Sequence, residues 1–381
     1  MNPRVGASLL GLILWGIGSG PAWGQSIVAT PSLTISEEYD DNIRLTAKNP
    51  QRDFISALRP GLRLEVKDHP WYLTLAGSVR GELFAKHSEL NNYDNQEGSA
   101  SFEFRPERPF SLSLTDTFTR STNPALVAPE AGIATGRFTS TSNAITPAAT
   151  YQFTPRTGLR FQYTFGILRF DSPDARDSDT HEAIATLQHQ FTPRTSGDIS
   201  YTFTRFKVEG SPDRDAHSPR LGIVFAYSPT VKFVTSTGVV FLEQEDGSEE
   251  VTLASSTRYE QEFKQGRFSI GYERNAGVAG LLGVTSVSQS VTAAASYQPI
   301  RSLTLAVDTS LAETESSGPS RTRVDFLTFL GGLRISYQLL RWLSLEASYR
   351  YQRQDDRAGS QDFQKNVFFL GLTASDQFRL R

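Results

Sequence analysis

Apolar and polar side chains alternate with period two through most of the chain. In Leu159-Arg-Phe-Gln-Tyr-Thr-Phe165 the apolar residues occupy positions 159, 161, 163 and 165. In Phe110-Ser-Leu-Ser-Leu114 the apolar residues are at even positions and serine fills the odd ones. Leu303, Leu305 and Val307 alternate with Thr304, Ala306 and Asp308. Leu343, Leu345, Ala347 and Tyr349 alternate with Ser344, Glu346, Ser348 and Arg350. Successive strand side chains point to opposite faces, so each segment predicts a strand with one apolar and one polar face.

Two kinds of connection separate these segments. The short kind begins at an aromatic residue and often holds proline, as in Phe153-Thr-Pro-Arg-Thr157, Phe191-Thr-Pro-Arg-Thr195, Tyr227-Ser-Pro-Thr230 and Tyr297-Gln-Pro-Ile-Arg301. Proline cannot donate to a strand ladder, so its recurrence marks strand ends. The long kind is polar and rich in Asp, Gly, Ser and Asn: 86–94, 122–136, 172–177, 210–216, 245–249, 275–283, 314–320 and 354–361. Short turns alternating with longer loops is the asymmetry of an outer-membrane barrel, with its short turns in the periplasm.

A soluble β-sandwich shows the same alternation, but three features tell against it. Segments of about 10–15 residues exceed a usual soluble strand and match a tilted membrane strand. The aromatics gather beside the short turns, where an interfacial girdle would need them. Strand pairs also follow one another without a Greek-key return. The pattern predicts an all-β, transmembrane, antiparallel up-and-down barrel. Its eighteen strands include a first pair at 33–39 and 54–66; sixteen is the alternative if 33–39 stays outside the wall.

The N-terminus changes the picture. Arg4, the apolar run Leu9 to Ile17, and Ala22-Trp23-Gly24 have the layout of a secretory signal peptide, too short to span a bilayer. Residues 1–24 are therefore read as a signal peptide, 25–32 as a short periplasmic segment and 33–381 as the outer-membrane barrel. The absence of cysteine excludes disulfides, thiolate metal sites and a lipid anchor. A net charge of −3 points away from nucleic acid. The implied partner is outer-membrane lipid.

Tyr39-Asp-Asp-Asn-Ile43, Asp53-Phe54-Ile55 and Pro60-Gly61-Leu62 resemble outer-membrane proteins associated with PEP-CTERM/exosortase systems, within a wider grouping of β-barrel porins. About 30 residues carry the match, from which Arg44 departs where a larger apolar residue is expected. The resemblance implies a setting of extracellular polysaccharide production, with envelope polysaccharide-export components as partners, and brings no established activity. The C-terminus, Phe378-Arg-Leu-Arg381, also departs from the terminal aromatic of many such barrels.

Candidate chemistry is sparse, and no enzyme is expected. The five histidines, at 69, 87, 181, 189 and 217, include no pair with metal-ligand spacing. Ser178, Asp179 and His181 are close in sequence, as a solvated loop edge or a hydrolytic group would be. Asp40-Asp41-Asn42 reads either as a polar turn or as oxygen ligands for Ca²⁺. No cofactor is expected. Alternation assigns Arg63, Arg80, Arg160, Arg267, Arg334 and Arg350 to the lumen, with Glu65, Glu82, Glu103, Glu273, Asp308 and Glu346. Six charges of each sign make no single-sign field that would concentrate a charged solute. Two functions fit: a porin-like channel or export component, whose longest loop, 122–136, holds two prolines and could fold inward; or a structural barrel that anchors a surface-polymer assembly.

Overall fold

The computed structural model describes residues 26–106, 109–123, 137–172, 175–243, 247–279, 284–316, 325–359 and 362–380. The expected signal peptide, and the middle of the loop at 122–136, lie outside them. Among the described residues no helix is long and apolar enough to cross a membrane, which says nothing of a crossing by strands.

The first nine strands are β1 (Ser26–Asp40), β2 (Asp53–Asp68), β3 (Trp71–Phe84), β4 (Asn92–Phe104), β5 (Phe110–Ser121), β6 (Ser140–Thr154), β7 (Thr157–Phe170), β8 (Ser178–Thr192) and β9 (Thr195–Val208). The next nine are β10 (Arg214–Ser228), β11 (Val231–Glu243), β12 (Glu249–Phe263), β13 (Gly266–Ala279), β14 (Val284–Ile300), β15 (Leu303–Ser316), β16 (Asp325–Leu340), β17 (Leu343–Asp356) and β18 (Phe363–Ser375). A short β19 (Phe378–Leu380) prolongs β18. Each strand pairs antiparallel with its chain neighbours, and β18 and β19 pair with β1, so the sheet closes as an 18-stranded barrel.

The first strand is longer than expected. Residues 26–32, read above as a periplasmic lead-in, form the lower half of β1. Ile27, Val28 and Ala29 pair with Leu380, Arg379 and Phe378 on one side and with Val66, Glu65 and Leu64 on the other. A ladder on both edges holds this stretch in the wall, although its side chains alternate weakly.

Short turns fall where proline ends the ladder. Thr154, Thr192 and Ser228 close β6, β8 and β10, and each hydroxyl accepts the backbone N–H two residues on, from Arg156, Arg194 and Thr230, at 3.2 Å. Proline stands between hydroxyl and donor in all three turns. Directly before them come Phe153, Phe191 and Tyr227, 56%, 60% and 68% exposed. With Phe263, Tyr297 and Trp342 they form a girdle at that end.

Away from the strand ends the large exposed apolar residues occupy one parity: Leu33 and Ile35 on β1, Phe54, Leu58 and Leu62 on β2, Leu221, Ile223 and Phe225 on β10, Leu370 and Leu372 on β18. Register keeps them on one face, since Phe102 lies opposite Leu114 and Leu345 opposite Leu372. The other parity is polar: Ser32, Thr34, Ser36 and Glu38 on β1, and Ser111, Ser113, Thr115 and Thr117 on β5. An apolar outside around a closed, ladder-paired wall suits hydrocarbon, which offers backbone groups no water.

Buried apolar packing collects under the outer loops rather than in a central core. Ile43, 1% exposed, packs on Ile55, Phe84 and Leu90, and Leu45 packs on Phe363. Ile55, Phe84 and Phe363 have inward parity, so the loop between β1 and β2 folds back over the inner wall. Leu45 and Asn49 take left-handed φ values of 53° and 55° to make that turn.

Candidate functional site: the charged inner wall

The ladder registers place all twelve expected charges at the parity opposite the exposed apolar belt. Three neighbouring pairs come into contact. Arg63 meets Glu65 at 3.1 Å, Arg80 meets Glu82 at 3.0 Å and Arg334 meets Glu346 at 3.5 Å. Glu103 pairs with Arg105, and Arg160 donates to Gln162 at 3.1 Å. Arg267 stands opposite Glu262. Asp308 and Arg350 stand on either side of Gly332, where a Cβ would lie 3.0 Å from the Asp308 carboxylate oxygens. Glu273 lies opposite Ser256, one position before β12 and β13 part.

The densest charge lies on β1 to β4. Arg80 also meets Glu38 at 3.3 Å, and Glu82 meets Arg137 at 3.2 Å. Glu38, Arg80, Glu82 and Arg137 thus form one chain of alternating sign. Arg137, at the foot of the long outer loop, lies over the Phe84 ring at 4.9 Å. Arg137 and Glu82 side chains are 8% and 9% exposed, so water screens this contact far less than the exposed pairs. Arg137, three residues before β6, is thereby held against the inner wall.

Sequence reasoning missed several inner charges. Arg59 pairs with Glu97 and donates to Ser78 at 3.0 Å. Lys232 and Arg258 approach Glu260 at 3.9 and 4.0 Å. Arg220 donates to Ser218 and to Asn275. The signal was available, since Arg59, Lys232, Arg258 and Arg220 each precede or follow a residue of the apolar face.

The two weaker chemical candidates resolve into structure. Ser178 pairs inward with Val208, while Asp179 and His181 point outward to Arg169 at 2.6 Å and to the Tyr163 hydroxyl at 2.7 Å. Opposite faces cannot make a catalytic group. Asp40 binds Lys365 at 2.6 Å, and Asp41 accepts the Asn366 backbone N–H and side-chain amide at 2.7 Å each. The Asn42 amide donates to the Thr46 and Gln364 carbonyls at 2.8 and 2.9 Å. This polar turn fastens the barrel's closing seam, and its oxygens are already engaged.

Glu313, Glu315 and Asp325 bring carboxylate oxygens within 4.8 Å of one another at the outer rim. Arg357 answers that charge, 2.7 Å from Glu313 and 3.6 Å from Asp325. Its hydrogen bond to Glu313 holds the guanidinium pKa above the ordinary arginine value. Gln289 donates to the same glutamate at 2.7 Å.

No protein-family model matches the sequence, and no curated protein matches it. Solved structures match in shape. OccAB3 of Acinetobacter baumannii superimposes with a TM-score of 0.50 at 10% identity, covering 92% of this chain and 99% of that one. OccAB4 of the same organism gives 0.49 at 13% identity over 92% and 98%. The outer membrane protein OpdK of Pseudomonas aeruginosa gives 0.47 at 9% over 91% and 99%. The fold is that of an outer-membrane barrel. At such identities the likeness is one of architecture.

Proposed function

We propose that the protein is a passive porin-like channel of the Gram-negative outer membrane, reached after signal-peptide cleavage. The observation that carries this reading is a closed wall of eighteen strands with a polar, ion-paired inner face. Barrels of about 16–18 strands leave an aqueous channel, whereas eight leave room only for side chains. Solutes would cross by diffusion along hydrated side chains, without covalent catalysis. The mixed charge of the wall favours weak, multi-site contact over tight binding. The likeness in fold to OccAB3 is in keeping with this reading.

The finer setting, association with exosortase systems and polysaccharide-export components, rests on the resemblance of residues 39–62. Asp40, Asp41, Asn42 and Asp53 are engaged in seam and loop contacts, so this motif names no cargo. Purified protein in planar bilayers is expected to give discrete conductance steps. A barrel that inserts and never conducts would refute the channel reading.

A further inference from the structure

The wall overlaps itself at one place. β12 begins at Glu249 and β13 runs to Ala279, yet their ladder stops at Ser255 opposite Arg274. Above that point β13 stays paired with β14, up to Ala279 opposite Val284, and β14 stays paired with β15 up to Ser286 opposite Ser316. The β13–β14 hairpin has therefore left β12 while remaining attached on its β15 side.

Its contacts show where it goes. Ala276 packs with Ala216, Val240, Leu242 and Ala254, and Phe206 and Val287 pack against them. Ala216, Val240, Leu242 and Ala254 have inward parity, because Leu221, Val251 and Leu253 on the other parity are more than half exposed. Leu242 and Ala254 are 0% exposed, at positions that would otherwise face the lumen. A Cβ on Gly277 would lie 3.7 Å from the Phe206 ring on β9. Arg220 on β10 donates to the Asn275 side chain at 2.8 Å, across β11 and β12.

Residues 275–277 and 287 of the hairpin therefore lie inside β9–β12 as a second layer. Its span from β13 to β9 is four strand spacings, roughly 19 Å. Packed layers sit about 10 Å apart, in a barrel about 35 Å wide at the usual strand tilt.

We propose that this inner flap sets the size of what passes. Its hinge is the β14–β15 ladder and its latch is the bond from Arg220 to Asn275. The inference rests on the channel reading above. On its free side β13 makes no ladder with β12 beyond Ser255, so the flap can lift about the β14–β15 ladder without unzipping another pair of strands, and the charge-assisted bond from Arg220 holds it down.

The test uses the full-length barrel, whose lack of cysteine makes introduced pairs unique. Asn275→Ala and Arg220→Met remove the latch separately, and only the second changes charge. Each is expected to raise single-channel conductance about two-fold and to admit larger polyethylene glycols. Ala254→Cys/Ala276→Cys, closed as a direct disulfide by a mild oxidant, is expected to hold conductance at the parent level and to cancel the effect of Asn275→Ala. Failure of the pair to bridge in a correctly folded barrel overturns the flap's position. Bridging with no difference in conductance or solute size between latched, unlatched and bridged forms overturns its role. A bridged barrel in which neither parent nor variants conduct overturns the role together with the channel reading, while leaving the flap's position established.

Discussion

Lys365 Nζ lies 2.6 Å from Asp40 Oδ2 and joins β18 to β1 at the outer end of the seam. The side chains are 8% and 1% exposed. Removing one partner of a buried pair strands the other charge, so Lys365→Met is expected to destabilise the barrel by about 3–5 kcal/mol. Lys365→Met with Asp40→Leu should recover most of that loss. Urea unfolding in lipid vesicles checks both; a single variant as stable as the parent would contradict a closing role.

Asp53 organises the second outer loop. Its carboxylate accepts backbone N–H groups from Phe54 at 2.8 Å, Lys86 at 3.0 Å and His87 at 2.9 Å, and lies 2.8 Å from His87 Nδ1. Asp53→Ala leaves these donors unmatched, at about 1–3 kcal/mol for each one left buried. Trypsin cleavage after Lys86 should become faster in the folded barrel, while cleavage elsewhere stays at the parent rate. Unchanged protection of Lys86 would count against this account.

Parity separates lipid from lumen. Leu370 is 53% exposed on the apolar face, and Ser348 lies on the inward face of the neighbouring strand. Leu370→Arg is expected to cost about 2–4 kcal/mol near mid-bilayer, and Ser348→Arg much less. Equal losses in a vesicle-folding titration would refute the assignment of faces.

Charge on the β1–β4 wall should tune ion selectivity. Arg63→Gln removes a positive charge beside Glu65 and should shift the reversal potential in a salt gradient towards cations; Glu103→Gln should shift it towards anions. A reversal potential indifferent to both would place the ion path away from this wall.

Much of the architecture was legible in the chain. The Thr-Pro-Arg-Thr turns at 154–157 and 192–195 end strands as read, because proline interrupts the ladder and the preceding hydroxyl caps it. Alternation also set the twelve expected charges at the parity opposite the apolar residues, and three-residue spacing alone separates Ser178 from His181, since odd separations in a strand reverse faces. The lower half of β1 was less legible, because Ile27, Val28 and Ala29 are held by ladder partners at both ends of the chain.

By itself the sequence determined the strand period, the turn positions and the two faces, since these depend on residues near one another along the chain. Only the tertiary structure decided that Asp40 meets Lys365, and that Ala276 and Val287 pack inside the wall. An apolar side chain carries the same signal whether its neighbour is lipid or another strand. That choice depends on contacts between distant segments, which period and composition do not encode.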